Sequence, residues 1–377
     1  MKITAVKTFP ITLTVKPEFY IVSSAGPHAI SRYVIVAIHT DEGLVGWGEA
    51  TVVPLWSGET QGGATALIQD YFAKCVIGRD PRDYKTLLQE MDASALDNHF
   101  TKAAVEMALL DLVGKKEQKP IYELIGGAKN SLQIPIKFSI GLREPEDAAQ
   151  IASTKVQEGF TAIKLKVGPD PEKDLLRVRL VREAIGDKIK LNVDTNGGWS
   201  VEQAIHEIPR YEKFNLAYVE QPTPRWDIDG LAKVRSATGA KIMADEGVFS
   251  YWQAEEVIRK QAADLISIYP GKNGGILKSQ QICQLAESAG VGCHLGSNLE
   301  WDIGTAAMCH LTVASKNVPV KTFPVDILGP LYYSVKPQQK PICFQNGHVF
   351  CPEGHGLGVE ISEEELKPLA TPNARQS

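Results

Sequence analysis

The sequence of 377 residues lacks the features that place a protein in a membrane or on nucleic acid. No apolar run approaches the roughly 18 to 20 residues that a membrane-spanning helix needs. Lysines and arginines are mixed with acids, and the formal net charge is -5, so binding to phosphate backbones is not expected. The N-terminus alternates apolar and polar residues like a strand and contains no signal-peptide core. We therefore expect a cytoplasmic protein with no nucleic-acid or membrane partner.

Common redox and nucleotide motifs are also missing. The six cysteines are scattered and include no CxxC pair, so we expect reduced, mostly buried thiols. No GxGxxG or GxxxxGK[ST] pattern opens a predicted helix, which argues against nucleotide binding through such loops. With 44% hydrophobic and 23% charged residues, the composition is globular, and the length suits one large domain and one smaller domain.

The texture of the sequence changes near residue 134. From there, short apolar runs recur about every 25 residues and alternate with helix-like stretches. This alternation predicts βαβ units and a parallel sheet. Eight apolar runs predict a closed barrel, and an open doubly wound sheet is the alternative. Upstream, strands are predicted over 2–15, 32–40 and 44–50, and helices over 64–77 and 101–116, as a separate α+β unit.

Three acidic residues, Asp194, Glu220 and Asp245, follow three successive predicted strands. Functional groups of parallel barrels collect at the carboxyl ends of the strands, and neighbouring strands lie about 5 Å apart. Three unpaired carboxylates at that separation would repel one another strongly. A hard divalent cation relieves this repulsion, and oxygen ligands favour Mg²⁺ or Mn²⁺. The alternative is that these residues are ordinary loop acids or helix caps.

Two lysines, Lys164 and Lys166, end the second predicted strand of the barrel. Alternation along a strand places residues two apart on one face, which in a barrel is the interior. Buried lysines are costly unless they lie beside acids or a metal. Beside a cation and a second ammonium, a lysine loses its proton more readily and can act as a base. The alternative is a pair of solvent-facing lysines at the mouth of the strand.

The sequence contains a series of short motifs in barrel order: GWGEAT (Gly46–Thr51), AAVEMALLDLVGK (Ala103–Lys115), PIYELIGG (Pro120–Gly127), AIKLKVG, VDTNGGW, VEQP, ADEG, GKNGGI and NLEWDIGTAA (Asn298–Ala307). Together they resemble the mandelate racemase and muconate-lactonizing enzyme branch of the enolase superfamily, closest to its muconate cycloisomerase-like subgroup. The resemblance covers nearly the whole chain. It implies an α/β fold, with a (β/α)7β TIM-like barrel and an N-terminal α+β capping domain. The cap would span 1–128, the catalytic barrel 129–330, and a C-terminal segment, 331–377, would return to the cap.

The resemblance also implies a metal site. Asp194, Glu220 and Asp245 would hold Mg²⁺, with Mn²⁺ as a substitute, and the metal would act as a Lewis acid on the substrate carboxylate. Asn196 and Glu246 would orient these ligands from behind.

On the barrel's second strand, the resemblance makes Lys166 the residue that exchanges the proton on the α-carbon. Lys164 would assist Lys166 and help neutralise the substrate carboxylate. The reaction would pass through an enediolate, as in the other enzymes of this superfamily.

The resemblance is incomplete on the opposite face of the substrate. Lysine-type members carry a second lysine at the end of strand six; aligned on Gly274–Gly275, that position is Tyr269. Racemase-type members use an Asp on strand six and a His on strand seven, and His294 stands too early for that role. Lys272 stays a candidate because Pro270 could shift the chain. Tyr269 could donate a proton or simply pack at the barrel rim.

A two-base racemisation needs proton donors on both faces, so a single strong base favours one-face chemistry. The resemblance predicts Mg-dependent proton transfer α to the carboxylate of a small organic acid, by a cycloisomerase of a muconate-like diacid or by a lyase. The alternatives are a racemase or epimerase of an amino-acid derivative and an acid-sugar dehydratase. From another class, the alternative is a non-catalytic barrel binding protein. We expect a small carboxylate as substrate and a homo-oligomeric assembly.

Substrate contacts are expected from two cap loops and from the ends of the last strands. Loop position alone suggests the cap residues, whereas the two acids match acidic positions after strand seven and at strand eight of muconate-lactonizing enzymes. Either acid could bind substrate or order a loop. The residues are Tyr20, His28, Trp56, Glu300 and Asp326.

Overall fold

The computed structural model describes residues 1–24, 26–335 and 340–371. The strands are β1 (Ile3–Thr14), β2 (Ile21–Ser23), β3 (Gly26–His28), β4 (Ile30–Thr40), β5 (Val45–Thr51), β6 (Gln133–Pro135), β7 (Phe138–Ile140), β8 (Ala162–Lys166), β9 (Lys190–Asp194), β10 (Leu216–Glu220), β11 (Ile242–Ala244), β12 (Leu265–Ile268), β13 (Gly292–Leu295), β14 (Phe344–Gln345) and β15 (His348–Phe350). The α-helices are α1 (Pro54–Ser57), α2 (Gln61–Leu67), α3 (Ala73–Val76), α4 (Tyr84–Ser94), α5 (His99–Glu117), α6 (Ile121–Leu124), α7 (Pro145–Gln157), α8 (Pro171–Ile185), α9 (Val201–Tyr211), α10 (Ile228–Thr238), α11 (Tyr251–Arg259), α12 (Pro270–Asn273), α13 (Ile276–Ser288), α14 (Asp302–Ala314) and α15 (Glu363–Leu366).

The N-terminal cap is a three-stranded antiparallel sheet in the order β1–β4–β5, covered by α5. Every residue of α5 from Phe100 to Gly114 is buried, because the helix lies between this sheet and the barrel. Glycines on β5 permit the close packing: a Cβ atom on Gly48 would lie 1.7 Å from the carbonyl oxygen of Ala104. The sheet therefore holds α5 by direct backbone contact, as a close helix approach requires.

The second unit is a parallel barrel. Strands β7 to β13 pair in chain order, and every residue of β8 is buried, as expected for a strand covered on both faces. The eighth strand is reduced to a short segment around Val325, which forms a parallel bridge to Ile136. Next to it, the N–H of Asp326 donates to the carbonyl of Leu295 at 2.9 Å, so this segment joins the last strand to the first. The predicted capped α/β barrel is confirmed.

The C-terminal stretch contacts both units. β15 pairs with β6 at the start of the barrel and with β14 on its other side, and Ala370 bridges Ile11 in the cap sheet. The exact bounds of the three predicted segments stay a prediction, and the predicted tail over 372–377 lies outside the described residues.

Two further expectations concern the whole chain. All six cysteines are free, and four of them are buried, which agrees with the expected reduced thiols. None of the helices in the described part of the chain combines the length and the apolar character that crossing a bilayer requires.

A buried carboxyl group joins the cap to the barrel. Glu49, on β5, accepts hydrogen bonds from the N–H groups of Trp301 at 2.8 Å and Gly304 at 3.0 Å, at the N-terminus of α14. These N–H groups have no acceptor within the helix, and the carboxyl oxygens of Glu49, on a strand of the cap, accept their hydrogen bonds instead. Burial raises the pKa of Glu49 to about 8, although the hydrogen bonds act in the opposite direction.

Glu49→Ala should lower the free energy of unfolding by about 2–4 kcal/mol, because two buried N–H groups lose their acceptor. Burial raises the folded-state pKa above the unfolded value, so the stability that the protonated carboxyl contributes is complete at low pH and is lost as pH rises through about 8. Wild type should therefore lose stability relative to Glu49→Gln between about pH 5 and pH 8. Urea unfolding across this range measures both effects. An unchanged stability of Glu49→Ala would contradict the capping role.

Candidate active site

A cavity of about 150 Å³ lies at the carboxyl ends of the barrel strands, beneath the cap. The hairpin β2–β3 and helix α1 of the cap form one wall, and barrel strands form the floor. The lining residues are Ile21, Ser23, Gly26, Pro27, His28, Val53, Leu55, Trp56, Ser139, Lys164, Lys166, Asp194, Asn196, Asp245, Tyr269, Ser297, Asn298, Leu299, Asp326 and Tyr332.

The three predicted metal ligands lie at adjacent strand ends. Asp194 ends β9 and pairs in register with Glu220, which ends β10, while Asp245 follows β11. All three side chains are buried. Burial raises the pKa of Glu220, and the negative charges of Asp194 and Asp245 add to this effect. Their proximity therefore creates the repulsion that the sequence predicts.

These carboxylates suit a hard divalent cation. They offer oxygen atoms only, and one of them, Oε2 of Glu220, is buried and has no hydrogen-bond partner within the described residues. In that same part of the chain, no three Asp, Glu, His or Cys side chains already surround a common point at metal-binding distance. Lysine ammonium groups lie between the carboxylates instead: Lys164 Nζ is 3.4 Å from both Asp194 and Glu220. The donor set, which consists of oxygen atoms and includes the buried and unpartnered Oε2 of Glu220, fits Mg²⁺ or Mn²⁺.

The two lysines of β8 point into the cavity, as strand alternation predicts. Lys166 Nζ donates to Asp194 at 2.6 Å and to Oδ1 of Asn196 at 2.8 Å. Lys164 Nζ lies 2.7 Å from Asp326. Burial alone would lower the pKa of Lys164, but the charges of Asp326, Glu220 and Asp194 outweigh it and raise that pKa well above its usual value. Lys164 is therefore a fixed positive charge.

Asn196 and Glu246 lie behind the first layer of charged groups. Asn196 donates its side-chain N–H to Oε1 of Glu246 at 2.8 Å while its oxygen accepts from Lys166, so it fixes the position of that lysine. Burial raises the pKa of Glu246 to about 8, and the charges of Asp245 and Asp194 contribute to the increase. A protonated Glu246 next to the carboxylates adds no further negative charge at neutral pH.

Tyr269 occupies the wall opposite β8. It follows β12, is fully buried, and stacks on Trp56 with ring centroids 5.5 Å apart. Its hydroxyl has no hydrogen-bond partner among the described residues. Burial raises the pKa of this hydroxyl well above 10, and the charges of Asp245 and Glu246 act in the same direction. The hydroxyl is therefore a neutral group held against the cavity.

Lys272 and His294 do not line the cavity. Nζ of Lys272 donates to the backbone oxygens of Asp245 at 2.8 Å and Ser267 at 2.7 Å and to Oδ1 of Asp245 at 2.7 Å. All three ammonium hydrogens are thus used. His294 is buried and bonds the carbonyl of Pro324 at 3.1 Å. Neither side chain is therefore placed against this cavity.

Of the residues expected to contact substrate, His28, Trp56 and Asp326 line the cavity, whereas Tyr20 and Glu300 do not. Burial lowers the pKa of His28 to about 4, so its ring is neutral at pH 7. Glu300 orders the neighbouring loop, because it accepts from the backbone N–H of Asn298 at 3.0 Å.

Several polar residues of this site were not predicted. Ser139 lines the cavity from β7 and donates to Asp326 at 3.1 Å, and Lys137 lies two residues earlier, beneath it. Both could have been found by the alternation rule that identified the lysines of β8, applied to the apolar run PIKFSI. Ser297 and Asn298 had no comparable signal, because they lie in a loop.

Most of the chain matches two family descriptions. Residues 6–126 match "Mandelate racemase / muconate lactonizing enzyme, N-terminal domain", and residues 146–365 match "Enolase C-terminal domain-like". The chain belongs to the mandelate racemase/muconate lactonizing enzyme family of the enolase superfamily. It is accordingly an isomerase or lyase whose chemistry is the proton abstraction of this superfamily.

Relatives in this family include both epimerases and cycloisomerases. The L-Ala-D/L-Glu epimerase of Clostridium acetobutylicum is 35% identical over 87% of this chain and 90% of its own. Muconate cycloisomerase 1 of Rhodococcus opacus is 32% identical over 89% of this chain and 90% of its own. The structure of the dipeptide epimerase of Enterococcus faecalis, complexed with Mg and the dipeptide L-Leu-L-Tyr, has a TM-score of 0.89 at 34% identity, covering 95% and 99% of the two chains. Family membership therefore leaves the reaction type open.

Proposed function

We propose that the chain is a lyase or cycloisomerase that transfers a proton on one face of a small carboxylate. The proposal rests on the position of the cavity lysines, which all lie on one side of the cavity. Both cavity lysines, Lys164 and Lys166, come from β8, and the facing wall presents a neutral tyrosine, Tyr269. Lys272, the other lysine near that wall, is fully engaged with Asp245 and Ser267.

A divalent metal held by Asp194, Glu220 and Asp245 would bind the substrate carboxylate and stabilise the negative charge that develops on it. Lys164, a buried and permanently charged group, would pair with the same carboxylate. Lys166, held by Asn196, would accept the α-proton.

In an elimination, Lys166 alone can carry out both proton transfers. The α C–H bond breaks, its proton passes to Nζ of Lys166, and the electron pair is delocalised onto the substrate carboxylate. As the Cβ–O bond breaks, that pair forms the Cα–Cβ double bond, and the leaving oxygen takes the proton from Lys166 and departs as water. Nothing is oxidised or reduced overall, and Lys166 returns to its initial state. In a cycloisomerisation, the same proton moves between the lysine and the α-carbon as the Cβ–O bond forms or breaks within one molecule.

Epimerisation is the second candidate, because relatives such as the epimerase of Clostridium acetobutylicum are named for it. It would need Tyr269 to deliver a proton on the second face. The raised pKa of that hydroxyl opposes this role, since the buried phenolate left behind would be unfavourable.

The two candidates predict different stereochemistry. We would incubate the Mg²⁺-loaded protein in D₂O with a panel of small carboxylates and follow the α-hydrogen and the products by NMR. One-face chemistry gives deuterium incorporation with retained configuration, or an elimination or ring-closure product. Deuterium incorporation with inversion would establish the epimerase instead.

Tyr269→Phe should leave α-hydrogen exchange within about tenfold of wild type, because the variant keeps the ring that stacks on Trp56 and loses only a hydroxyl that is not the base. Exchange rates in D₂O, measured beside wild type, check this. A loss of about a hundredfold or more would assign proton transfer to Tyr269 and would contradict the single-base proposal.

A further inference from the structure

Lys137 is a buried cation that the proposed mechanism does not use. It lies between β6 and β7 inside the barrel, is 1% exposed, and does not line the cavity. Its Nζ donates to the hydroxyl of Tyr218 at 2.8 Å. It also lies 3.7 Å from Oε2 of Glu220 and 3.9 Å from Oδ2 of Asp326. An ammonium group is stable in such a place only where negative charge compensates it.

Lysine side chains of the protein neutralise the negative charge of Asp326. It lines the cavity, yet its oxygens already contact Nζ of Lys164 at 2.7 Å and the hydroxyl of Ser139 at 3.1 Å, with Lys137 below at 3.9 Å. A substrate ammonium placed against Asp326 would therefore meet Nζ of Lys137, which stays beneath Asp326 when Lys164 pairs with the substrate carboxylate. Like charges in such a position oppose binding.

Apart from the proposed metal ligands Asp194 and Asp245 and the lysines of β8, the remaining polar lining is uncharged. Ser297, Asn196 and Asn298 carry hydroxyl and amide groups, and His28 a neutral ring. Among the lining residues of the described chain, the cations are the two lysines of β8, which the substrate carboxylate and the α-proton already occupy. A second substrate carboxylate would have no cation of its own. Hydroxyl groups, in contrast, match side chains that both donate and accept.

We propose that Lys137 is a built-in counterion for Asp326 and Glu220, and that the pocket consequently selects a monocarboxylate with an uncharged, hydroxylated body. This inference rests on the proposed function, whose elimination needs a β-hydroxyl as leaving group. It departs from the muconate-like diacid expected from the sequence, and from the dipeptide bound by the Enterococcus faecalis relative. Lys137 is a specificity-determining and positioning residue, because it acts on the substrate through Asp326.

Three acids with one four-carbon skeleton test the substrate class. They are 2,3,4-trihydroxybutanoate, threonine and tartrate, each as separate stereoisomers, which differ by having no further charge, an ammonium group or a second carboxylate. Calorimetry with the Mg²⁺-loaded wild type should give the trihydroxy acid the lowest Kd, by about tenfold or more over both others. Tighter binding of threonine or tartrate, or binding of none of the three acids, overturns the proposal.

Variants test the counterion. Lys137→Met keeps the length of the side chain and removes its charge, so the ratio of threonine to trihydroxybutanoate affinity should rise about tenfold. Adding Asp326→Asn should cancel that rise, because the acid that Lys137 compensates is then gone. If Lys137→Met does not fold, Asp326→Asn alone should improve tartrate relative to the trihydroxy acid. A ratio unchanged from wild type in Lys137→Met, or in Asp326→Asn alone where Lys137→Met does not fold, overturns the role of Lys137.

The same samples in D₂O separate this inference from the proposed function. Binding in the expected order without α-hydrogen exchange would count against the proton chemistry and would leave the counterion assignment supported. Exchange that favours threonine would keep the proton chemistry and would overturn the substrate class.

Discussion

Lys166→Met should reduce α-hydrogen exchange by about a thousandfold or more, since it removes the one cavity group that we assign as the base. Nζ of Lys166 contacts Asp194 at 2.6 Å and Asn196 at 2.8 Å, and methionine fills the same volume without the amine. Exchange into D₂O, followed by NMR with any carboxylate that wild type accepts, measures the loss.

The control is Lys164→Met, on the same face of the same strand. Because Lys164 is a fixed charge beside the carboxylate, its removal should raise KM as well as lower kcat, whereas Lys166→Met should act chiefly on kcat. Lys173→Met, on α8 and outside the cavity, removes a half-buried lysine that pairs with Glu144 and should leave both constants unchanged. If Lys166→Met retains exchange within tenfold of wild type, the assignment of the base is wrong.

Removing divalent metal should abolish exchange, and added Mg²⁺ or Mn²⁺ should restore it. Burial and the charges of Asp194 and Asp245 raise the pKa of Glu220, so protons compete with the metal at that carboxylate. Because the protonated form cannot bind the cation, affinity for Mg²⁺ should rise with pH and fall as pH decreases through the raised pKa. Calorimetric titrations with Mg²⁺ at several pH values, together with EDTA and metal-restoration assays, measure both effects.

Glu220→Gln should weaken Mg²⁺ binding more than about a hundredfold, since even residues that only orient metal ligands typically contribute tenfold to a hundredfold. Glu246→Gln is the matched control: it lies beside Asp245 in the chain, but its pKa of about 8 makes it neutral at pH 7. Glu246→Gln should weaken Mg²⁺ binding by no more than about tenfold to a hundredfold. Equal affinities of wild type and Glu220→Gln would remove that residue from the metal site.

Local sequence patterns predict the positions of several residues of this site. Strand alternation placed Lys164 and Lys166 on one inward face, and the regular barrel repeat aligned Asp194 and Glu220 in register on neighbouring strands. Both deductions depend only on period and on the rule that parallel strands end at the same edge. The motif resemblance extended them to the capped barrel.

The same rules could not separate Tyr269 from Lys272. The two residues are close in sequence, and the short helix α12 that begins at Pro270 decides which of them faces the cavity. That helix turns Lys272 toward Ser267 and Asp245 and leaves Tyr269 against Trp56, a partner from the distant cap. Contacts between remote segments leave no trace in local periodicity.

The sequence by itself therefore determined the fold class, the three acids and the two lysines of β8, because each follows from a repeating local geometry. Only the tertiary structure decided which groups face the substrate from the other side and which charges compensate one another. Lys137, Glu220 and Asp326 come from separate parts of the barrel, and Val325 closes it with a single bridge. Electrostatic compensation depends on distances across the barrel, and these exist only after the chain has closed on itself.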